Sequence, residues 1–387
     1  REMREFPELP EPYGFNPTGH KHFNDIDEIC ASREEAYTVV ESLLDDVMAA
    51  HPASRYVHLG CDEAWNLLSC PDCRARFGED GKHRLYIGHI NRMAARVLAA
   101  GKTPIIWDDM LRGFSDEELA QLDHRVVIMI WLYYESNYAL AKRLTQRFRA
   151  AGFTVLGAAA AKCGEGPEPQ YLDMPWNELR LGNVDMWGRL CGEEGLDGFC
   201  MTVWSNYSGT IAPPHPFFDT IWYPVLFAAE KLWNRDAVRE GFDGRFSSAF
   251  FGVEQEGLFH GGSAARYERI CRVCREAVRH RYEAETVRVM ELLGAYRLKA
   301  LAIGRELYKL HMDVTEAEKR VVRNRMAEVI ALREELKPQV RRIVETHYTK
   351  ADAEVFVRSR FYFFPTQAGV ATPAQENSRV LCAVMMV

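Results

Sequence analysis

The run YVHLGCDEAW, residues 56–65, closes an apolar stretch with two adjacent carboxylates, Asp62 and Glu63. Neighbouring residues of a strand point to opposite faces, so this pair is poorly placed to flank one bond as the acid and nucleophile of a retaining glycosidase, which stand about 5 Å apart. At a strand end, where the pleat relaxes, both carboxylates can reach one ligand at different atoms. One can protonate a leaving oxygen while the other holds the same sugar elsewhere. This division suits a mechanism in which the sugar's own 2-acetamido oxygen is the nucleophile.

Aromatic and charged residues also end the other predicted strands. They are Trp107, Asp108 and Asp109; Trp131, Tyr133 and Tyr134; Lys162; and Trp204, Asn206 and Tyr207. Active sites of parallel α/β folds lie at the carboxyl ends of the strands. A single tryptophan there is more typical of a core, but three at corresponding strand ends favour a carbohydrate pocket, because aromatic faces pack on sugar rings.

The elements that position these residues alternate from residue 34 onward. Five strands are expected, in the runs RYVHLGCD, TPIIWDDM, RVVIMIWLYY, FTVLGAAAAK and DGFCMTVWSNY. They are apolar on both faces, as in a parallel sheet covered by helices, so the fold class is α/β. The helix before the first strand is expected to begin with Ser32 as its N-cap and to stop at Pro52.

Long amphipathic helices replace the strands after about residue 215. The predicted organisation is a catalytic part over residues 1–235, a helical region over 236–365 and an irregular tail over 366–387. The charge runs of the helices are typical of solvated faces. Their apolar stripe could form the interface of a homodimer.

HLGCDE (58–63) resembles the His-x-Gly-x-Asp-Glu signature of the family-20 β-N-acetylhexosaminidases. WDDM (107–110), MIWLYY (129–134) and MTVWSNY (201–207) resemble the later barrel strands of its hexosaminidase D branch. The resemblance runs from about residue 30 to 235. It implies a (β/α)8 barrel that removes terminal β-linked N-acetylhexosamine, glucosamine-type or galactosamine-type, with retention and without a metal or organic cofactor.

The resemblance also implies a role for each matching residue. Glu63 would be the general acid and then the base, which requires a pKa raised toward neutrality. Asp62 would bind the acetamido N–H and stabilise the oxazolinium-like charge. His58 would support the site from below, and Trp107, Trp131 and Trp204 would form its aromatic lining. Tyr133 would bind the acetamido oxygen. Asp108 would contact sugar hydroxyls or neighbouring groups. The sequence does not decide between Tyr133 and Tyr134.

Eight strands make such a barrel, and five are recognised in this sequence. In the family the acidic pair ends the fourth strand, so the chain is expected to lack the first three βα units and to have little turnover alone. The run FPELPEPYGFNPTGHKHFND would then connect strands three and four, with His20 and His22 as loop residues.

Three other interpretations stay open. Cys70 and Cys73 in CPDC suggest zinc, best as a local loop knuckle, with Cys271 and Cys274 in CRVC as a second pair. A metallohydrolase could use His58, Asp62 and Asp108 or Asp109, although a second strand-end histidine is lacking. A non-catalytic carbohydrate-binding or scaffold protein on the same barrel would bind sugar without needing Glu63.

Composition narrows the classes of partner. The net charge is −7, with lysine and arginine spread along the chain, so nucleic acid is not an expected partner. No apolar run reaches the roughly 18 residues that span a bilayer, and the first residues do not form a secretory signal. Ten cysteines among 387 residues are too few for a disulfide scaffold. We therefore expect reduced thiols and a cytoplasmic location.

Overall fold

The computed structural model describes residues 29–163, 177–204, 221–258, 263–276 and 284–361, the last range without residues 305, 311, 313 and 347. His20, His22, Asn206, Tyr207 and the predicted tail lie outside the described residues. Within these ranges, no helix combines the length and hydropathy needed to cross a membrane.

Five strands form one sheet in the order β1-β2-β3-β4-β5, and β1 to β4 pair in parallel. Their bounds are Tyr56–His58 (β1), Thr103–Trp107 (β2), Val127–Trp131 (β3), Thr154–Lys162 (β4) and Phe199–Val203 (β5). Each lies inside a run predicted as a strand. The α/β class and the parallel sheet are therefore confirmed.

Helices fill the connections and the carboxyl-terminal part of the chain. Before β5 they are Glu34–Ala50 (α1), Pro71–Phe77 (α2), Lys82–Ala99 (α3), Asp116–Leu119 (α4), Tyr138–Ala150 (α5) and Asn177–Glu194 (α6). After β5 they are Trp222–Trp233 (α7), Phe242–Phe251 (α8), Ser263–Glu276 (α9), Ala284–Gly304 (α10), Glu316–Val344 (α11) and Lys350–Arg360 (α12). Helices α2, α4, α6, α8 and α12 were not predicted individually.

The chain divides into two compact units, one of residues 1–159 and 186–200 and one of 160–185 and 201–387. In the second unit, α10, α11 and α12 bury a common apolar core that includes Tyr296, Met326 and Phe361. An aromatic group joins α7 and α8, where Tyr223 lies 5.0 Å from Phe246, centroid to centroid. The predicted boundaries at residues 235 and 365 stay predictions.

Helices α1 and α3 of the first unit are held together by ion pairs. Arg92 on α3 reaches Glu34 and Glu41 on α1 at 2.8 and 2.7 Å, and its guanidinium lies 3.7 Å from the centroid of Tyr37. As predicted, α1 stops before Pro52. Ser32 as its N-cap is wrong: the cap position is Arg33, and the Ser32 hydroxyl donates to the sulfur of Cys73 at 3.2 Å.

Pairing between β1 and β2 brings two candidate segments side by side. His58 is in register with Ile105, and Leu59 N–H donates to the Ile105 carbonyl at 2.8 Å. Trp107 N–H donates to the Gly60 carbonyl at 3.1 Å, so pairing continues to the residue before Cys61. The turn that carries Asp62 and Glu63 therefore starts beside the end of β2.

A glycine in β4 makes room for a buried tryptophan. Trp187 on α6 is fully buried, donates its indole N–H to the Leu132 carbonyl at 3.1 Å and lies directly over Gly157. A Cβ at Gly157 would overlap the Trp187 ring. The close approach of α6 to the sheet therefore depends on glycine at this position.

Substituting Gly157→Ala is therefore expected to destabilise the protein by about 1–3 kcal/mol, through displacement of Trp187. Gly88→Ala is the matched control: Gly88 is exposed in α3 with open space around its Cβ position, so alanine there is expected to be neutral or stabilising by about 0.5–1 kcal/mol. Urea unfolding of both variants measures the difference. Equal stabilities would contradict this account of α6 packing.

Candidate active site

The segment after β1 is a turn with unusual backbone angles. Gly60, Cys61 and Glu63 all have positive φ, at 75°, 68° and 49°. For a residue with a side chain this conformation is unfavourable by roughly 1–2 kcal/mol, so surrounding contacts must hold it. One of them comes from Tyr86 on α3, whose hydroxyl donates to the Cys61 carbonyl at 2.7 Å.

Asp109 connects this turn to the next two strand ends. Its Oδ2 accepts the backbone N–H of Glu63 at 2.9 Å, and its Oδ1 accepts the indole N–H of Trp131 at 3.0 Å. One carboxylate thus fixes both the backbone of the candidate acid and the ring of a candidate sugar-packing residue.

Asp108 is fully buried and is held by different partners. Arg112 Nε and Nη2 donate to its two oxygens at 2.7 and 3.1 Å, and Trp131 N–H donates to Oδ1 at 3.1 Å. The Arg112 guanidinium also lies 5.2 Å from the Trp131 ring centroid. Asp108 therefore contacts neighbouring groups that fix the end of β3.

Burial and like charge act on the titrating groups of the turn. Burial raises the pKa of Asp62, an effect that a backbone hydrogen bond opposes and the negative charge of Asp109 strengthens. Burial also raises the pKa of Asp108, against the opposing effect of Arg112. Burial raises the pKa of the Cys61 thiol to about 12, so this cysteine is a neutral thiol and a poor nucleophile.

His58 faces Trp107 at the end of β1. The two ring centroids are 4.3 Å apart, and Gly60 N–H donates to His58 Nδ1 at 3.0 Å. Desolvation lowers the pKa of His58 to about 4, although part of the residue stays exposed. The imidazole is therefore neutral at pH 7, and Nδ1 serves as an acceptor that stabilises the start of the turn.

The aromatic candidates fall into two groups. Trp131 and Tyr133 lie at the end of β3 with ring centroids 5.5 Å apart; Tyr133 is buried, whereas Tyr134 is 37% exposed. Trp204 belongs to the second unit, where its N–H donates to the Lys162 carbonyl at 3.0 Å. Within the first unit the structure brings together His58, Asp62, Glu63, Trp107, Asp108, Trp131 and Tyr133.

Three further residues shape this site through contacts that were not predicted. Asp109 was visible as a strand-end residue, but its link to Glu63 was not predicted. Arg112 stands four residues after Asp108, a spacing that could have indicated an ion pair. Tyr86 sits in an ordinary apolar helix pattern, and no local signal marks its hydroxyl as a partner of the turn.

Comparison with known proteins gives one family. Residues 12–183 match the family described as glycosyl hydrolase family 20, catalytic domain. Hexosaminidase D of Bos taurus is 30% identical over 185 residues, and the same protein of Homo sapiens is 30% identical over 184 residues. Each match covers 45% of this chain, but 53% of the bovine and 37% of the human protein. The chain thus spans about half or less of the length of these relatives.

Among solved structures, a β-N-acetylhexosaminidase from Bacteroides fragilis is 22% identical, with a TM-score of 0.46 over 64% of this chain and 49% of that one.

The parallel α/β sheet, whose carboxyl edge carries a carboxylate pair beside aromatic rings, thus occurs in a chain whose residues 12–183 match a glycosyl hydrolase catalytic domain. This part of the chain is similar to glycosyl hydrolase family 20, and the chain is similar to hexosaminidase D, the resemblance that the HLGCDE motif indicated.

Proposed function

We propose that this protein is a retaining exo-β-N-acetylhexosaminidase, which removes terminal β-linked N-acetylglucosamine or N-acetylgalactosamine by substrate-assisted catalysis. The observation that carries the proposal is the strained turn at residues 60–63, where Asp109 anchors the Glu63 backbone and the Trp131 indole together. Backbone strain of this kind is concentrated at functional sites. The name of the curated relatives, hexosaminidase D, supports the same substrate class.

In the first step, the Glu63 carboxylic acid donates its proton to the glycosidic oxygen. The carbonyl oxygen of the 2-acetamido group attacks the anomeric carbon, and the bond to the leaving oxygen breaks with its electron pair going to that oxygen. An oxazolinium ion results. Asp62 accepts the acetamido N–H and offsets the positive charge, while Trp131 and Tyr133 lie against the acetamide.

In the second step, water attacks the anomeric carbon from the face that the leaving group vacated. The Glu63 carboxylate removes a proton from this water, the oxazolinium ring opens, and the acetamide is restored. Two inversions give overall retention. The Asp108 oxygens accept hydrogen bonds from Arg112 and from the Trp131 backbone N–H, so its proposed role is to fix the end of β3.

The proposal includes the surroundings of the site. The five-stranded sheet would be part of a (β/α)8 barrel, and Trp107 and Trp204 would complete the aromatic lining. The substrate would be an oligosaccharide or glycoconjugate ending in N-acetylhexosamine, hydrolysed in the cytoplasm without a cofactor.

The test combines turnover with binding, on the 387-residue chain and on the full product of its gene. Substrates are 4-nitrophenyl β-N-acetylglucosaminide and β-N-acetylgalactosaminide, and the binding probe is the 2-methyl-thiazoline of N-acetylglucosamine, a stable analogue of the oxazolinium ion. We expect Glu63→Gln to lower kcat by about 100-fold or more while still binding the thiazoline, because glutamine donates no proton as an acid. Asp62→Asn is expected to weaken thiazoline binding.

Glu79→Gln is the control, since Glu79 is 83% exposed and pairs only loosely with Arg74 at 3.9 Å. It should behave like the wild type. If Glu63→Gln hydrolyses as fast as the wild type, Glu63 is not the acid. A different result would indicate a non-catalytic carbohydrate-binding protein. In that case the wild type shows no turnover, either as the 387-residue chain or as the full gene product, and Glu63→Gln leaves sugar binding unchanged.

A further inference from the structure

Three cysteines from two distant segments of the first unit meet in its interior. Cys30 precedes α1, whereas Cys70 and Cys73 belong to the CPDC run at the start of α2. All three are fully buried, and their sulfur atoms lie within 4.8 Å of one another. The sulfur of Cys30 is 3.6 Å from that of Cys70 and 3.7 Å from that of Cys73.

These separations fit a shared metal ion. Zinc holds thiolates at about 2.3 Å in tetrahedral geometry, which places neighbouring sulfurs about 3.8 Å apart. A disulfide would require about 2.05 Å between sulfurs. The two separations from Cys30, 3.6 and 3.7 Å, are therefore close to those of a tetrahedral thiolate site, and all three sulfurs lie within 4.8 Å of one another.

The hydrogen bonds around the sulfurs suit thiolates. Cys70 is the N-cap of α2, followed by Pro71, and its sulfur accepts the Cys73 N–H at 3.3 Å. The sulfur of Cys73 accepts from the Ser32 hydroxyl at 3.2 Å. Donors directed at sulfur favour the deprotonated form that binds metals. Cys-x2-Cys with a third cysteine elsewhere is also a spacing that structural zinc sites use.

We propose that Cys30, Cys70 and Cys73 bind a zinc ion through three thiolates. Within the described ranges, no fourth histidine, cysteine or acidic ligand atom joins the group, so the fourth tetrahedral position is filled by a ligand other than these cysteines. The third sulfur comes from Cys30, so the proposed site is neither the purely local CPDC knuckle that the sequence favoured nor one that uses the CRVC pair.

The site would brace the turn that carries the candidate catalytic residues. Cys30, Cys70 and Cys73 share one apolar cluster with Val57 of β1 and Leu68 of the following loop. A zinc ion there ties the segment before α1, at Cys30, to the start of α2, where the loop that follows Glu63 ends. The proposal does not depend on the glycosidase activity.

The experiment measures metal content and cobalt spectra of protein purified under reducing conditions without chelator. We expect one zinc ion per chain, and cobalt added to the metal-free protein should give sulfur-to-cobalt charge-transfer bands together with d–d bands typical of tetrahedral coordination. Chelation of the wild-type protein should lower Tm by about 5 °C or more, reversed by zinc and not by magnesium.

The matched variants are Cys70→Ala/Cys73→Ala and Cys271→Ala/Cys274→Ala. Cys271 and Cys274 have the same spacing and are also buried, but they lie within α9. Only the first variant should lose the zinc and the cobalt bands. The proposal is overturned if wild-type protein holds no zinc and cobalt gives no thiolate bands, if a disulfide joins two of the three cysteines, or if both variants lose metal equally.

Discussion

Replacing Asp109 by asparagine is expected to lower kcat by about 100-fold while the protein stays folded. The carboxylate accepts two N–H groups at once, from the Glu63 backbone and the Trp131 indole. An asparagine side chain has one acceptor oxygen, so its NH2 group must face one of these donors. Either the Glu63 backbone, with its φ of 49°, or the Trp131 indole then loses its hydrogen bond to this side chain. A displacement of about 1 Å at a reacting group is enough for a 100-fold loss.

The charge of Asp109 adds a pH effect of definite sign. This charge contributes to the raised pKa of Asp62, so its removal lowers that pKa, although burial still keeps it raised. If Asp62 must be ionised to hold the acetamido N–H, the acidic limb of the kcat/KM profile moves to lower pH in Asp109→Asn. A residue that only supports the fold would not move this limb.

Three measurements test the Asp109 prediction: turnover, the pH profile and the indole N–H signal of Trp131 in a nitrogen-15 NMR spectrum. The indole signal should shift even in a form of the chain that does not hydrolyse sugar. Asp123→Asn is the control, because Asp123 is partly exposed and binds Arg125 rather than the turn after β1. An Asp109→Asn variant with normal kcat and an unchanged Trp131 signal would remove Asp109 from the positioning role.

The strands could be predicted from sequence because their signal is local. Residues 127–131, VIMIW, are apolar throughout, and a buried parallel strand imposes this pattern. Helix α6, residues 177–194, was not predicted because it contains glycines at 182, 188 and 192 and lacks a clean apolar stripe. Ser32 was misassigned as a cap because its partner, Cys73, is 41 residues away.

The residue types of the candidate site could be predicted from the sequence, but the hydrogen bonds that join these residues could not. Strand-end position identified Asp62, Glu63 and the pair at 108 and 109. Which member of that pair turns inward depends on the three-dimensional path of the chain after β2: Asp108 is buried on Arg112, whereas Asp109 reaches the turn after β1. Positive φ at Cys61 and Glu63 has no sequence signature, because neither residue type favours that conformation.

The ion pair of Asp108 and Arg112 leads to the second large prediction: Arg112→Ala should destabilise the protein by about 3 kcal/mol at pH 7. Removing one partner leaves a fully buried carboxylate charge without compensation, and losses of about 3–5 kcal/mol are usual for such a change. The lower end is expected because the Arg112 side chain is 29% exposed. Arg125→Ala, which breaks an exposed pair with Asp123, should cost less than about 1 kcal/mol.

The pH dependence of this loss identifies its cause. Without Arg112, the pKa of Asp108 rises further above that of the unfolded chain, since the guanidinium lowers this pKa more than the Trp131 N–H does. The folded variant therefore binds a proton more readily than the unfolded variant, and its stability falls as pH rises from the unfolded pKa, about 4, through the higher folded pKa. Urea unfolding should accordingly show a larger difference in the free energy of unfolding between variant and wild type at pH 7 than at pH 5.

The double variant Asp108→Asn/Arg112→Ala should recover part of the loss, because the buried charge is gone while the asparagine oxygen can still accept the Trp131 N–H. A loss that is equal at both pH values and unchanged in the double variant would mean that Arg112 acts through packing on Trp131 rather than through Asp108.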